Sequence, residues 1–172
     1  MANEPEDIRI REATIDDLPL LFEARHNMFA EFAGSVHPEH HAIVDAAVAA
    51  FLRQTAKVSP IGFIAEDEAG ELVGAVSVAH ESTVPSLHNM SGRQSYLYGM
   101  WVRSESRRQG VARELVATAI EASRAVGSGA VTLMTSEEGR GVCESLGFVS
   151  VPAMRLAFEP LFDPHARDDT AG

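Results

Sequence analysis

Arg107, Arg108, Gly110 and Arg113 stand within seven positions of one another and have the types and spacing for holding an anion. Guanidinium groups present a rigid fork of donors that suits phosphate oxygens. Gly110 lets the backbone approach a ligand with no Cβ in the way. The surrounding stretch, Tyr96 to Val116, reads YLYGMWVRSESRRQGVARELV: an apolar run, a polar turn and a helix-forming run without a gap. That order puts the unpaired amides of a helix start, with the positive end of its dipole, beside the end of a strand, and such a place binds phosphate.

Two elements must position these residues. Ala112, Leu115, Val116, Ala119, Ile120 and Ser123 recur at spacings of three and four, with Arg113, Glu114, Glu121 and Arg124 between them. This is an amphipathic helix, and the Gly127-Ser128-Gly129 cluster ends it. Upstream, Tyr96 to Val102 is rich in aromatic and branched residues, as strands are, yet holds Gly99 in its middle. A glycine there marks a bulge or a ligand lying against the backbone. Strand alternation would put Tyr98 on one face with Tyr96, Met100 and Val102. Together these features describe a site for a phosphate-bearing ligand whose tail runs along the strand.

Arg107-Arg108-Gln109-Gly110-Val111-Ala112 resembles the Q/R-x-x-G-x-G/A motif of the GNAT superfamily of acyl-CoA-dependent N-acetyltransferases. Gly139 to Phe148, GRGVCESLGF, resembles the second signature of that family, a short helix ending in a Leu-Gly-Phe turn. The resemblance covers Tyr96 to about Phe158, and the first part of the chain matches only in its order of elements. It implies an α/β fold of the α+β type, with a mixed, mostly antiparallel twisted sheet flanked by helices. It also implies direct transfer of an acetyl group from acetyl-CoA, as co-substrate, to an amine of a small molecule or peptide. By the same resemblance a strand amide near Met100 or Trp101 polarises the thioester oxygen. Trp101, Val102 and Arg103 line the pantetheine, and Arg107, Arg108, Gln109, Gly110, Val111, Ala112 and Arg113 hold the pyrophosphate. The family commonly has a tyrosine where this chain has Cys143, so Cys143 is either the proton donor to the departing thiolate or a small apolar residue on the inner face of a short helix.

An aliphatic amine has a pKa near 10 and must lose a proton before its lone pair can attack the thioester. The sequence shows no unambiguous base. His80, Glu81 and His88 are candidate proton acceptors, with ordinary surface placement as the plain alternative, and Tyr98 is either a ligand-stacking, catalytic residue or core packing. Two rival functions stand beside acetyl transfer. One is a non-catalytic acyl-CoA-binding or sensing module, and the other is a different nucleotide-binding protein.

The chain of 172 residues, 45% hydrophobic, is within the range of one domain. Residues 1–158 are expected to form it, with 159–172 as a flexible tail. The single Cys143 excludes an internal disulfide framework and fits a reducing cytosol, and no export or membrane segment is indicated. A net charge of −11 argues against binding nucleic acid or an anionic membrane. It favours a cationic acceptor, near Glu66, Asp67, Glu68, Glu71 and Glu81, or simply keeps the protein soluble. A homodimer is left open. His37-Pro38-Glu39-His40-His41 lacks a second ligand group, so no metal is expected.

In chain order, the pattern predicts a strand at Ile8–Arg11 and a helix through Leu18, Leu21, Phe22, Arg25, Phe29 and Phe32. A second helix follows from His40 to Thr55, with Val44, Ala47, Val48, Phe51 and Leu52 facing in. Ile61–Glu66 and Glu71–Ala79 read as a hairpin, Glu81–Gln94 as a loop, and Ala130–Met134 as a strand. Arg140–Leu146 reads as a short helix, and Phe148–Phe158 as a last strand region interrupted by Pro152.

Overall fold

The computed structural model describes residues 7–33, 38–55, 60–156 and 158. Among the described residues five strands form one sheet in sequence order: β1 (Arg9–Glu12), β2 (Gly62–Glu66), β3 (Leu72–Ser82), β4 (Arg93–Val102) and β5 (Ala130–Leu133). Neighbours from β1 to β4 pair antiparallel, and β4 pairs parallel with β5. A parallel neighbour requires a crossover, and helix α3 (Val111–Ala125) supplies it. The expected sheet, mixed and mostly antiparallel, is therefore the one observed.

Each face of the sheet has its own core. Val111, Leu115, Val116 and Ala119 of α3 pack on Phe63, Ala65, Val73, Val76, Val78, Leu97 and Val102. On the other face α1 (Leu18–Ala33) contributes Leu18, Leu21 and Ala24, and α2 (Pro38–Thr55) contributes Ala49 and Leu52, against Ile61, Ile64, Leu72 and Ala75. Arg113, Glu114, Glu121 and Arg124 of α3 face water, as its periodicity requires. The stripe expected to face inward on α2 departs from this pattern. Leu52 is buried, but Ala47 and Phe51 are exposed and overlook a groove rather than a core.

The start of the chain is fastened by charge. Asp17 accepts from the Thr14 amide (2.8 Å), closing the turn before α1. Arg11 on β1 pairs with Asp17 and with Glu66 on β2, both at 2.8 Å.

Some boundaries differ from expectation. The β3–β4 ladder runs to Ser82 and Arg93, so the long loop shrinks to 83–92. Buried Asn89 organises that loop through bonds to the Arg93 carbonyl (2.9 Å) and from the Ser91 hydroxyl (2.8 Å). The short helix α4 (Glu137–Ser145) begins earlier than expected because Ser136 caps it, accepting from the Gly139 amide (3.2 Å). The expected last strand is absent from the described residues 148–156, which carry no regular structure. Pro152 cannot donate to a ladder, and Val149, Val151, Met154 and Leu156 are all more than two-thirds exposed, with no face to cover. The tail expected at 159–172 lies outside the described residues, as does His37.

Candidate active site

The parallel ladder between β4 and β5 ends at Leu97 and Leu133, after which β5 stops and β4 continues to Val102. The strands part like a V, leaving one edge of 98–102 free of β5. Within this free part β4 carries one more residue than β3, since Tyr98 pairs with Ser77 and Trp101 with Ala75. The extra residue is a bulge at Gly99–Met100, and Gly99 has the positive φ (62°) that such a bulge favours in glycine.

The bulge overturns the simple alternation expected for the strand. Met100 and Val102 pack toward α3, whereas Trp101 packs toward α1 and α2, on the side of the Tyr96 and Tyr98 groove. Tyr98 thus does not share a face with Met100 and Val102, because a bulge shifts the period of two by one residue.

Beyond β4 the chain tightens through a short turn, Ser104–Ser106, and then doubles back at Arg108 (φ 61°) and Gly110 (φ 90°) into α3. The first helical bond is from the Glu114 amide to the Gly110 carbonyl (3.0 Å). The amides of Val111, Ala112 and Arg113 precede it and have no acceptor within the helix. They open on a cavity of about 550 Å³ lined by Met100, Trp101, Val102, Arg107, Arg108, Gly110, Val111, Ala112 and Arg113. Strand end, helix start and basic side chains therefore converge on one volume. Arg108 and Arg113 form no ion pair among the described residues, so both cations remain available there.

Three residues expected in this site are placed differently. Arg103 is turned to the β2–β3 hairpin, where it pairs with Asp67 (3.3 Å), and it does not line the cavity. Gln109 also stays outside, donating to the Glu105 carbonyl (3.2 Å). Cys143 is buried on the inner side of α4, and its neighbour Val142 reaches the cavity in its place.

Met28, Glu31, Ser104, Ser106, Ser136 and Glu138 complete the wall together with Gly139 and Val142 of the second signature, and the first six were not assigned to the site from the sequence. Glu31 matters most. Its carboxylate accepts two bonds from Arg107 Nη2 (both 2.7 Å) and one from Trp101 Nε1 (2.9 Å). Arg107 is further fixed by its Nε bond to the Val102 carbonyl (2.8 Å). Burial works to raise the Glu31 pKa, but these donors outweigh it and hold the carboxyl below its ordinary value. No local signal marks Glu31, because its partners lie about seventy positions away. Ser136 was legible as a helix cap, a Ser before Glu-Glu, had the start of α4 been read earlier.

A strand split by a bulge, next to a helix start with open amides, is the geometry implied by the motifs. The model of the Acetyltransferase (GNAT) family matches residues 22–148. The chain belongs to this family. A GCN5-related N-acetyltransferase from Ralstonia eutropha JMP134 shares its fold with a TM-score of 0.74 and 21% identity, over 88% of this chain and 98% of that one. A predicted acetyltransferase from Clostridium acetobutylicum, solved with acetyl-CoA, aligns with a TM-score of 0.75 and 20% identity, over 87% and 96% of the two chains. Glucosamine-6-phosphate N-acetyltransferase from Arabidopsis thaliana aligns with a TM-score of 0.65 and 16% identity, over 89% and 99%. No curated protein matches the chain.

In this GNAT chain the candidate proton acceptors are unequal. His80 donates from Nε2 to the Pro60 carbonyl and contacts the Ser95 hydroxyl through Nδ1, both at 3.1 Å, so its ring is engaged on both sides. His88 is exposed on the 83–92 loop. Tyr98 lines a second depression, under α2, and burial pushes its phenol up from the ordinary value. Arg25 of α1 lies over the Phe29 ring (5.1 Å) and near the Tyr98 ring (6.0 Å), beside the bulge. His26 bonds to Asp45 (2.8 Å) and lies against the ring of His41 (centroids 4.1 Å apart, tilted by 46°), whose pKa is lowered by burial and by His26. Among the described residues no group of three His, Cys, Asp or Glu is placed to hold a metal. No described helix is long and apolar enough to cross a membrane.

Proposed function

We propose that this chain, as one cytoplasmic domain, transfers the acetyl group of acetyl-CoA directly to an amine of a small molecule or peptide. The observation that carries the reading is the cavity where β4 and β5 part, with the α3 amides at one end and the Gly99–Met100 bulge at the other. In it, Arg108, Arg113 and the amides of Val111 to Arg113 hold the pyrophosphate. The pantetheine takes the free edge of β4 in place of a strand, and the thioester oxygen receives an amide near Met100 or Trp101. Related proteins include one solved with acetyl-CoA and one named for acetylating an amino sugar phosphate.

The amine must arrive deprotonated. Arg25, a cation beside the bulge, disfavours an ammonium there and so lowers the amine's pKa. Loss of the proton through water then suffices without a strong base. Attack by the lone pair forms the carbon–nitrogen bond and breaks the carbon–sulfur bond; the nitrogen then gives its extra proton to water, and the departing thiolate takes one from solvent, since Cys143 does not reach the cavity.

The burial of Cys143 at the position of the family's tyrosine favours a second reading, a sensor that binds acyl-CoA without chemistry. The test is release of free thiol from acetyl-CoA with a broad amine panel, with the product checked by a mass shift of one acetyl group. Thiol release with acetylated amine supports transfer. Acetyl-CoA binding in calorimetry with no transfer to any amine supports the sensor, and absence of binding overturns both.

A further inference from the structure

The apolar stripe of α2 is wider than its core needs. Ile43, Val44, Ala47, Val48 and Phe51 roof a groove of about 380 Å³, and Ile43 and Phe51 are roughly half exposed. Its floor is the sheet: Ala79 on β3, and Tyr96 and Tyr98 on β4. The two tyrosine rings lie nearly parallel (9°) with centroids 6.1 Å apart, giving a flat aromatic surface.

The groove has a direction. Tyr98 stands next to the Gly99–Met100 bulge, and Met100 lines the cofactor cavity, so that end meets the proposed thioester position. The other end is marked by Glu81, the single charged residue of the wall among the described residues, which accepts from Gln94 (3.1 Å). Register sets the length. Ser77 pairs with Tyr98 and Glu81 with Gln94, so four residues of strand, about 14 Å at about 3.4 Å each, separate the two ends.

We infer that the acceptor is a primary amine with an apolar chain or ring for a body, laid along this groove with its amino group at the Tyr98 end. The inference rests on the acetyl-transfer reading and names its substrate class. Beyond the two tyrosine hydroxyls and Glu81 the lining gives a hydroxylated or sugar-like body few polar partners, whereas each methylene of a chain that enters it strengthens binding by about fourfold. Glu81 at the far end repels a terminal carboxylate or phosphate and accepts a second amino group.

The test is direct binding of a homologous series of straight-chain alkylamines, propyl to hexyl, to the full chain by calorimetry, with 8-aminooctanoate and 1,8-diaminooctane, long enough to reach Glu81, beside it. Acetyl-CoA affinity is measured separately. Affinity should rise about threefold to fourfold per methylene, and the diamine should bind better than the amino acid. Ala47 is exposed on α2 and lines the groove, so Ala47→Phe should fill it and keep the fold. That variant should lose at least about tenfold in hexylamine affinity with acetyl-CoA affinity unchanged. Phe51→Ala provides a second check, extending the series to longer chains. A flat alkylamine series, or hexylamine bound equally by Ala47→Phe, overturns the inference while leaving acetyl-CoA binding intact. If alkylamines follow the series and acetyl-CoA does not bind, the groove stands and the transfer reading falls.

Discussion

At Gly110 the backbone itself is the device. With φ at 90°, any L side chain is strained there, and since nothing lies within 4 Å of the Cβ position, a new side chain would enter the cavity it lines. Gly110→Asp adds like-charge repulsion against a pyrophosphate. Acetyl-CoA affinity should fall at least tenfold, about 1.4 kcal/mol, by calorimetry on a variant whose circular dichroism is unchanged. Glu31 makes the opposite prediction. It places a negative charge on the wall of the phosphate cavity and occupies Arg107, so Glu31→Gln should tighten acetyl-CoA binding by about threefold to tenfold, about 1 kcal/mol. A weaker affinity would mean that Glu31 serves mainly to aim Arg107. Cys143 is buried and does not reach the cavity, so Cys143→Ala should keep activity within about tenfold, with solvent supplying the proton. A kinetically competent acetyl adduct on Cys143, detected by intact mass in a reaction without amine, would overturn direct transfer.

At the scale of elements, what was legible in the sequence was local. The α3 pattern, its glycine stop and the Gly99 bulge are each written within a few residues, and each appears where expected. The consequences of the bulge were not legible, since its register against β3 decides that Trp101, and not Met100, turns toward α1. Nor was the α2 groove, because an apolar stripe reads the same whether a core or a ligand covers it. The last strand expected from Phe148 is absent from residues 148–156 for a related reason: local sequence can propose a strand, but a partner must accept it. One tie between elements gives a testable pH dependence. The Arg11 guanidinium, joining β1, β2 and the turn before α1, lowers the Asp17 carboxyl from 3.8 to about 2. The stabilisation from a depressed acid is complete above the unfolded pKa near 4 and is lost as pH falls through about 2. Asp17→Asn should therefore be about 1–2 kcal/mol less stable at pH 7. It should also lose less than the parent between pH 4.5 and 2 in urea melts, and parallel losses would refute this role.

Over the whole molecule, the charge of −11 is spent unevenly. Glu66 and Asp67, two of the acids that suggested a cationic acceptor, are paired with Arg11 and Arg103, whereas Glu81 stands at the groove. The attraction of an ammonium is thus a sum of the distant field and one near carboxylate, rather than of a cluster at the hairpin. Such attraction is screened over about 10 Å at 0.1 M salt, so raising salt from about 20 to about 200 mM should lower kcat/KM for an alkyl diamine severalfold. An arylamine, uncharged at pH 7.5, provides the control, because it feels neither the field nor Glu81 and its kcat/KM should change little. The same comparison in Glu81→Gln separates the two sources: a diamine response that halves in slope assigns part of the steering to Glu81, and an unchanged slope assigns it to the net charge. A flat response of the diamine in the parent protein would show that charge does not guide the acceptor at all.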